Sequence, residues 1–377
     1  MTQSVYDTRV FYKRTPTGGF IIAHVHVDDT RLTSLSMDDL NAFYTLWADD
    51  LKEERKPLDV TTLDETFAGI RHHFIDRHTC VLSCTGTIDQ LIPILSEFPL
   101  EPNLSSDSPI ACDSLKRLFA QPTETNPLVT THLHTARRIV GLTSFVSSVR
   151  NEVLFAFKVL ARFVNERRLT SYAWREIRRM AAYLVATRDT GLILSRTGGA
   201  LTAYVDSSLN NGPDGRSYGG FALQFSSSPD SRSGSFMVSC SLPTLACDSS
   251  GAAELFQSVR CTKAVLGFRI FLKELGFMQP ESTLIYTDAK VLIDGTRCRK
   301  VSNESKWVSP RYAMIRYAET SNAIRLIKFP TEDNFADITT KPLTGAPFEK
   351  HRAAILGLPK PQPRAPYQAI AAASIGP

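Results

Sequence analysis

After about residue 200 the apolar pattern changes to three short strands followed by an alternation of helices and strands, and this order constrains the fold most strongly. The words LTAYVD, YGGFALQF and SFMVSC predict strands, because the turn-rich segments NNGPDG and SSSPDSRSG separate them. A long helix is predicted over SSGAAELFQSVRCTKAVLGFRIFLKELG, followed by strands over TLIYTD and IRLIKF, with helices between and after them. The order predicts an α/β fold in which helices cover a five-stranded sheet.

Four acidic residues of this region stand where an acid is unexpected: Asp206, Glu254, Asp288 and Asp337. Asp206 and Asp288 each end an apolar strand. Glu254 lies in the first turns of the long helix, and Asp337 precedes ITTKPL. If the first and fourth strands are neighbours, both strand-end aspartates meet at one edge of the sheet, where Glu254 can join them.

Carboxylates gathered in this way repel each other, so their pKa values rise unless a cation is bound. Two divalent ions held by such carboxylates hydrolyse phosphodiesters, because one activates water and the other stabilises the leaving 3′-oxygen. Oxygen ligands favour Mg²⁺ or Mn²⁺ over zinc. The alternative is that each acid is a turn former or a helix N-cap, which explains one of them more easily than all four.

The first 96 residues carry a β-type pattern. VFYKR, the turn PTGG and FIIAHVHV predict a hairpin that ends at Asp28 and Asp29, followed by a helix from about Ser36 to Lys56 with Ser36 as its N-cap. FAGIRHHFI and TCVLSC predict a second hairpin. Because ligands on a hairpin alternate between its faces, we favour this hairpin over a zinc site. The histidines and cysteines concerned are His72, His73, His78, Cys80 and Cys84.

Composition and pattern divide the chain into five predicted segments. These are a β-rich part (1–96), an irregular linker rich in Pro, Ser, Thr and Asn (97–130), a helical connection (131–196), the α/β domain (197–357) and a disordered, Pro- and Ala-rich tail (358–377). No run of about 18 apolar residues and no apolar amino-terminal signal occurs, so we expect a cytoplasmic or nuclear protein with no membrane partner.

Basic residues concentrate in the helical connection. Between Arg137 and Arg196 there are twelve Lys and Arg against four Asp and Glu, a local charge of +8, whereas the whole chain carries +5. Such a block suits a nucleic-acid backbone, although a solvated helix face is the alternative. The candidate nucleic-acid contacts are Arg175, Arg178, Arg179 and, further along the chain, Lys306.

Several words between about residues 200 and 357 carry a family resemblance. They are YVDSS, RSYGGFAL, SSGAAELF, IYTDAK, ESKWVSPRYAMIR, IKFPTEDNFADITTKPL and FEKHRAAILGL. With them the chain resembles the ribonuclease H domain of copia-like LTR retrotransposon Pol polyproteins, which closes on a phrase very similar to ADITTKPL. The resemblance implies a ribonuclease H-like mixed five-stranded sheet, a substrate that is the RNA strand of an RNA–DNA hybrid, and two Mg²⁺ or Mn²⁺ ions. It also implies that the metal ligands are Asp206, Glu254, Asp288 and Asp337.

The chain departs from this family pattern at three places. Ala252 replaces the first Glu of the family's Thr-Glu-Ala-Glu-Tyr word, and Ala289 follows the third acid where Asn is common. Lys306 and Trp307 stand where the family has a Lys-His pair, so a candidate general acid is absent. These changes concern turnover more than metal binding.

The first half resembles the same polyprotein. VFYKRTPTGGFIIAHVHVDDTRLTS is similar to the reverse-transcriptase strands that carry Tyr-Val-Asp-Asp, with His26 in place of the tyrosine, and the helices after Arg137 are similar to the segment that precedes ribonuclease H. The resemblance implies a partial palm with a vestigial metal site at Asp28 and Asp29, and a thumb-like connection. Polymerase chemistry needs another aspartate on a preceding strand, and Asp7 is too close, so we expect no polymerase activity from this chain alone.

The leading hypothesis is therefore an RNA–DNA hybrid endoribonuclease within a truncated Pol segment, with nucleic acid and a longer Pol chain as candidate partners. A catalytically weak nucleic-acid-binding remnant is the alternative, and salt-dependent binding without cleavage would distinguish it. An integrase or resolvase has similar layering, but its acid spacing differs and it lacks the ADITTKPL ending.

Overall fold

The computed structural model describes twelve segments of the chain, and all structural statements below concern these segments. They are residues 1–16, 18–27, 29–34, 36–51, 64–76, 78–101, 105–120, 128–196, 198–226, 233–243, 246–298 and 308–359. The strands in them form three sheets, two of four strands and one of five. Across the same segments every helix is too short or too polar to cross a bilayer.

The amino-terminal sheet is antiparallel, with its four strands in chain order. The strands are β1 (Thr2–Gln3), β2 (Val10–Arg14), β3 (Phe20–His26) and β4 (Asp29–Ser34). Helix α1 (Met37–Leu51) follows, and Ser36 accepts a hydrogen bond from the amide of Asp39 at 3.2 Å. The predicted hairpin and the Ser36 cap are confirmed, whereas the predicted helix end at Lys56 lies outside the described residues.

A second antiparallel sheet joins the predicted His- and Cys-containing hairpin to a strand more than 100 residues later. Its strands are β5 (Asp64–Phe67), β6 (Ile70–Asp76), β7 (Thr79–Ser83) and β8 (Leu192–Ser195). Strand β8 pairs with β7 so that Leu192 lies opposite Leu82. The hairpin is confirmed, and the residues LILS add a fourth strand to its sheet.

Helices occupy most of the chain between these strands. They are α2 (Thr85–Asp89), α3 (Ile92–Glu97), α4 (Ser114–Ala120), α5 (Leu128–Val146), α6 (Leu154–Leu160) and α7 (Ser171–Ala186). The irregular linker expected over 97–130 therefore needs correction, since it contains α4 and the start of α5. Short helices in Pro- and Ser-rich sequence lack a strong periodic signal, and tertiary packing decides whether they form.

The five-stranded sheet is mixed, as predicted. Its strands are β9 (Ala200–Ser207), β10 (Gly219–Ser226), β11 (Met237–Ser241), β12 (Thr283–Thr287) and β13 (Ile324–Lys328). The order is β11-β10-β9-β12-β13, in which β9, β10 and β11 are antiparallel while β12 runs parallel to both β9 and β13. The remaining helices are α8 (Ser250–Glu274), α9 (Lys290–Arg297), α10 (Ser309–Thr320) and α11 (Gly345–Leu356).

Helices cover both faces of this sheet. Alternate residues of β9 point to opposite faces, so Ala203 and Val205 pack in a core with α8, α9 and α10, whereas Tyr204 belongs to a core with the helices upstream of residue 190. The ring of Phe155 in α6 meets that of Tyr218 edge to face at 5.2 Å. The hydrophobic core therefore runs across the boundary expected near residue 197, and the helical connection is one layer of the α/β unit.

Candidate active site

Three of the four predicted acids meet at one edge of the five-stranded sheet. Asp206 lies near the end of β9, Asp288 directly follows β12, and Glu254 is in the first turns of α8. Each offers a carboxylate oxygen, and these three oxygens lie within 4.8 Å of one another. Because β9 and β12 are parallel neighbours, their carboxyl ends reach the same edge, as the sequence predicted.

The fourth acid, Asp337, lies beside Asp206 but outside this group of three. It belongs to a 3-10 helix (Phe335–Thr339) that follows β13. The Nζ of Lys341 lies 2.8 Å from Oδ1 of Asp337 and 3.7 Å from Oδ2 of Asp206. A basic side chain thus faces both of these acids, and metal binding by Asp337 stays a prediction.

Asn334 and Gly220 bring the 3-10 helix against the sheet. Asn334 is buried, donates to the carbonyl oxygen of Val205 at 3.0 Å and accepts from the amide of Ala336. Gly220 pairs with Asp206 across β9 and β10, and a Cβ there would overlap the hydroxyl of Thr339 and lie 2.7 Å from the carbonyl oxygen of Ser239. Only glycine admits the 3-10 helix this close, which explains the glycine at this point of the RSYGGFAL word.

Hydrogen bonds fix three carboxylates in place. The amide of Ser207 donates to Oε1 of Glu254 at 3.2 Å, and the hydroxyl of Thr331 donates to Oδ2 of Asp288 at 2.8 Å. The hydroxyl of Thr340 donates to Oδ2 of Asp206.

Sequence reasoning did not assign Thr331, Thr340 or Lys341 to the site. All three lie in the word IKFPTEDNFADITTKPL, which carries the family resemblance. Their occurrence in the same word as Asp337 is the sequence feature that could have identified them as site residues.

The electrostatics of the site favour a bound cation. Burial raises the pKa of Glu254 well above its ordinary value, and the charges of Asp206 and Asp288 raise it further. Burial, followed by the charge of Asp206, raises the pKa of Asp337 to about 7. Burial lowers the pKa of Lys341, but the charges of Asp206 and Asp337 outweigh that effect and raise it overall.

Oxygen Oε2 of Glu254 identifies where a cation fits. This atom is buried and has no hydrogen-bond partner within the described segments. A buried carboxylate oxygen without a partner is costly, and a divalent ion would satisfy it. Because the donor set consists of oxygens only, it suits Mg²⁺ or Mn²⁺.

Two of the three predicted arginines of α7, Arg178 and Arg179, contact the segment before α4, whereas Arg175 packs over the ring of Tyr172 in its own helix. Arg178 donates to Oε1 of Glu101 at 2.8 Å, and Arg179 donates to the carbonyl oxygen of Ser105. Their side chains are only 11% and 10% exposed, compared with 31% for Arg175. The alternative of a solvated helix face therefore does not hold for Arg178 and Arg179, because another segment covers them. Nucleic-acid contact by the three arginines stays a prediction.

Two further predicted site residues, Asp28 and Lys306, lie outside the described residues, as does Trp307. Asp29 begins β4, is exposed, and lies opposite His26 in the ladder. The vestigial polymerase site therefore stays a prediction. Ala289 is the N-cap residue of α9, where it makes no side-chain cap.

A mixed sheet with helices on both faces and three converging carboxylates defines an α/β protein with a candidate metal centre. A Pol polyprotein from transposon TNT 1-94 of Nicotiana tabacum, described as retrovirus-related, is 25% identical over 201 residues, which are 53% of this chain and 14% of that protein. The retrovirus-related Pol polyprotein from transposon RE2 of Arabidopsis thaliana is 26% identical over 241 residues, 61% of this chain and 16% of that protein. Homologues of the chain are thus Pol polyproteins of plant transposons, which confirms the relationship expected from the motifs.

Comparison with solved structures finds a ribonuclease H1, LC11-RNase H1, isolated from compost by a metagenomic approach. It is 14% identical, with a TM-score of 0.29, and the match covers 38% of this chain and 93% of that one. The same enzyme in complex with an RNA/DNA hybrid matches with a TM-score of 0.27 at 11% identity, over 36% of this chain and 88% of that one. No family model matches the chain.

Proposed function

We propose that the α/β unit is a ribonuclease H-like nuclease that cleaves the RNA strand of RNA–DNA hybrids. The observation that carries this proposal is the convergence of Asp206, Glu254 and Asp288 from three different elements, with carboxylate oxygens within 4.8 Å of one another. Homology to plant-transposon Pol polyproteins supports it, because copying RNA into DNA produces such hybrids. The chain spans only 14% and 16% of those relatives, so the activity is proposed for this unit alone.

Asp206, Glu254 and Asp288 would hold one Mg²⁺ or Mn²⁺ ion, and Asp206 with Asp337 a second. Bound ions of this kind supply an activated water and stabilise the negative charge that develops on the leaving oxygen. The protein's part is to hold mutually repelling carboxylates together through Ser207, Thr331 and Thr340.

The substrate assignment rests on the family resemblance and on charge. The +8 segment between Arg137 and Arg196 would attract the phosphate backbone with little sequence preference, because such contacts do not read bases. Arg175 is the most exposed of the three predicted arginines of α7 and is the best candidate for direct contact. A longer Pol chain is the second proposed partner.

The test is cleavage of an RNA–DNA hybrid, with the RNA labelled, in Mg²⁺ by the wild-type chain and by Glu254→Gln. We expect the variant to lose activity by about 10²-fold or more, because bound metal contributes several kcal/mol to transition-state stabilisation. Glu281→Gln, at an exposed residue between α8 and β12, is the matched control and should cleave normally. A folded, hybrid-binding wild type that cleaves in neither Mg²⁺ nor Mn²⁺ would exclude the nuclease.

A catalytically weak nucleic-acid-binding remnant is the second candidate. It is favoured by Ala289, which follows the third acid and has no side-chain amide to position a substrate. The same experiment separates the two, since a remnant would bind the hybrid with a steep salt dependence and leave it intact.

A further inference from the structure

Lys341 distinguishes two parts of the group of four acids. One part, the Asp206–Asp337 half, forms ion pairs with Lys341, and the other, the Glu254 half, consists of Glu254 and Asp288. The Nζ of Lys341 lies 2.8 Å from Oδ1 of Asp337 and 3.7 Å from Oδ2 of Asp206, so one ammonium faces both carboxylates. The side chains of Asp206 and Asp337 are only 2% and 11% exposed, and water screens their mutual repulsion poorly. A positive charge that faces both carboxylates offsets part of that repulsion without any metal.

Lys341 acts on Glu254 and Asp288 only from a greater distance, without a direct ion pair in the described segments. Within the described segments, no Lys or Arg forms an ion pair with the carboxylate of Glu254 or of Asp288. Oε2 of Glu254 is buried without a hydrogen bond within the described segments. By contrast, Oδ2 of Asp206 and Oδ1 of Asp337 both have the ammonium of Lys341 as a neighbour. The two halves of the cluster therefore differ in how much they require an added cation.

Lys341 is also placed so that it can leave. It lies two residues beyond the 3-10 helix, its side chain is 34% exposed, and its amide remains bonded to the carbonyl oxygen of Asp337 at 3.0 Å. A flexible four-carbon stem lets the ammonium move into solvent while the backbone stays in place.

We propose that Lys341 is the internal cation of the Asp206–Asp337 half and that it competes with the second divalent ion for this position. This inference rests on the proposed function, because it takes these acids as metal ligands. Two consequences follow. The first ion binds at the Glu254 half, and the second binds more weakly because it must displace the ammonium. Lys341 is in this sense a positioning residue, since it keeps Asp337 beside Asp206 when no metal is bound.

The test is calorimetric titration of the full chain with Mn²⁺, which measures how many ions bind and how tightly. For the wild type we expect one site and a second that is at least about ten times weaker, a difference of about 1.4 kcal/mol. Lys341→Met should tighten the second site about tenfold or more. Lys350→Met is the matched control, because Lys350 pairs with the exposed Asp333 at 2.6 Å, and it should leave both sites unchanged.

Thermal unfolding in a chelator provides a second measurement. Lys341→Met should lower the Tm of the metal-free protein by about 3 °C, and Mn²⁺ should restore it, whereas Lys350→Met should do neither. Lys341→Arg keeps a cation at the position and should retain the weak second site even if Lys341→Met folds poorly. Two equal sites in the wild type that Lys341→Met leaves unchanged would overturn the inference alone. A wild type that binds no Mn²⁺ would overturn the proposed metal site as well.

Discussion

The amino-terminal sheet and the five-stranded sheet each have an aspartate near a strand terminus, Asp29 at the start of β4 and Asp206 near the end of β9, but their surroundings differ. Asp29 begins β4 in an antiparallel ladder and is exposed. Asp206 is 1% exposed, and parallel pairing of β9 with β12 brings Asp288 to the same edge. Parallel pairing and burial, more than an acidic pair in the sequence, therefore produce a candidate cation site.

The amino-terminal region has a packing role that the structure does describe. The hydroxyl of Ser4 donates to Oε2 of Glu274 at 2.6 Å, and the ring of Tyr6 lies 5.3 Å from that of Phe271. Both contacts are near the carboxyl end of α8, the helix whose first turns carry Glu254. The amino-terminal region therefore packs against α8, the helix that supplies Glu254 to the candidate site of the five-stranded sheet.

The largest difference between the two sheets is expected in hybrid cleavage. Asp206→Asn should reduce the initial rate by about 10²-fold or more, because it removes a ligand from a site that contributes several kcal/mol. Asp29→Asn should leave the rate unchanged. Equal losses in the two variants, measured at saturating hybrid and Mg²⁺, would contradict this difference between the sheets.

The next largest effect is expected at Gly220. Gly220→Ala should lower the free energy of unfolding by about 2–3 kcal/mol, because the new Cβ collides with Thr339 and Ser239. Gly141→Ala, in the middle of α5 with no heavy atom within 4 Å of the added Cβ, should instead stabilise the protein by about 0.5–1 kcal/mol. Urea denaturation measures both, and a neutral Gly220→Ala would show that the 3-10 helix does not depend on this close approach.

A smaller effect concerns Glu254 and pH. Because its folded-state pKa is raised, the metal-free fold loses stability as pH rises from the unfolded value of a glutamate through the folded one. Glu254→Gln removes this loss, so in a chelator it should be more stable than the wild type by about 1 kcal/mol at neutral pH. The advantage should vanish as pH falls below about 4, the ordinary pKa range of a glutamate, because the carboxyl then becomes protonated in both states. Denaturation at several pH values tests this, and an advantage independent of pH would contradict the charge argument.

Substitution of the acidic pair in the amino-terminal sheet should not change nucleotide incorporation, because we expect this chain alone to have no polymerase activity. In a primer-extension assay the wild type should incorporate no more nucleotide than a variant with Asp28→Asn and Asp29→Asn together, because Asp7, the one aspartate among residues 1–27, is too close to the hairpin to act as a further metal ligand. Incorporation by the wild type above that background would show that the amino-terminal sheet has a working site.

Local pattern was enough to predict the elements of the five-stranded sheet and its long helix. Alternating and helical periodicities locate strands and helices, and polar residues at the ends of apolar strands mark Asp206 and Asp288 as candidates. Asp206 and Asp288 come together because their strands, β9 and β12, are parallel neighbours, and the structure has this pairing. These parts could be predicted because the apolar pattern of a strand or helix is contained in its own short stretch of sequence.

Tertiary structure decided what depends on residues far apart in the chain. The hydrogen bond from Thr340 to Asp206 spans 134 residues, and the one from Arg178 to Glu101 spans 77. No periodicity encodes such pairs, because they form only where packed elements bring their side chains together. For the same reason the packing of the helical connection on the sheet, and the position of Lys341 between two acids, appeared only in the folded protein.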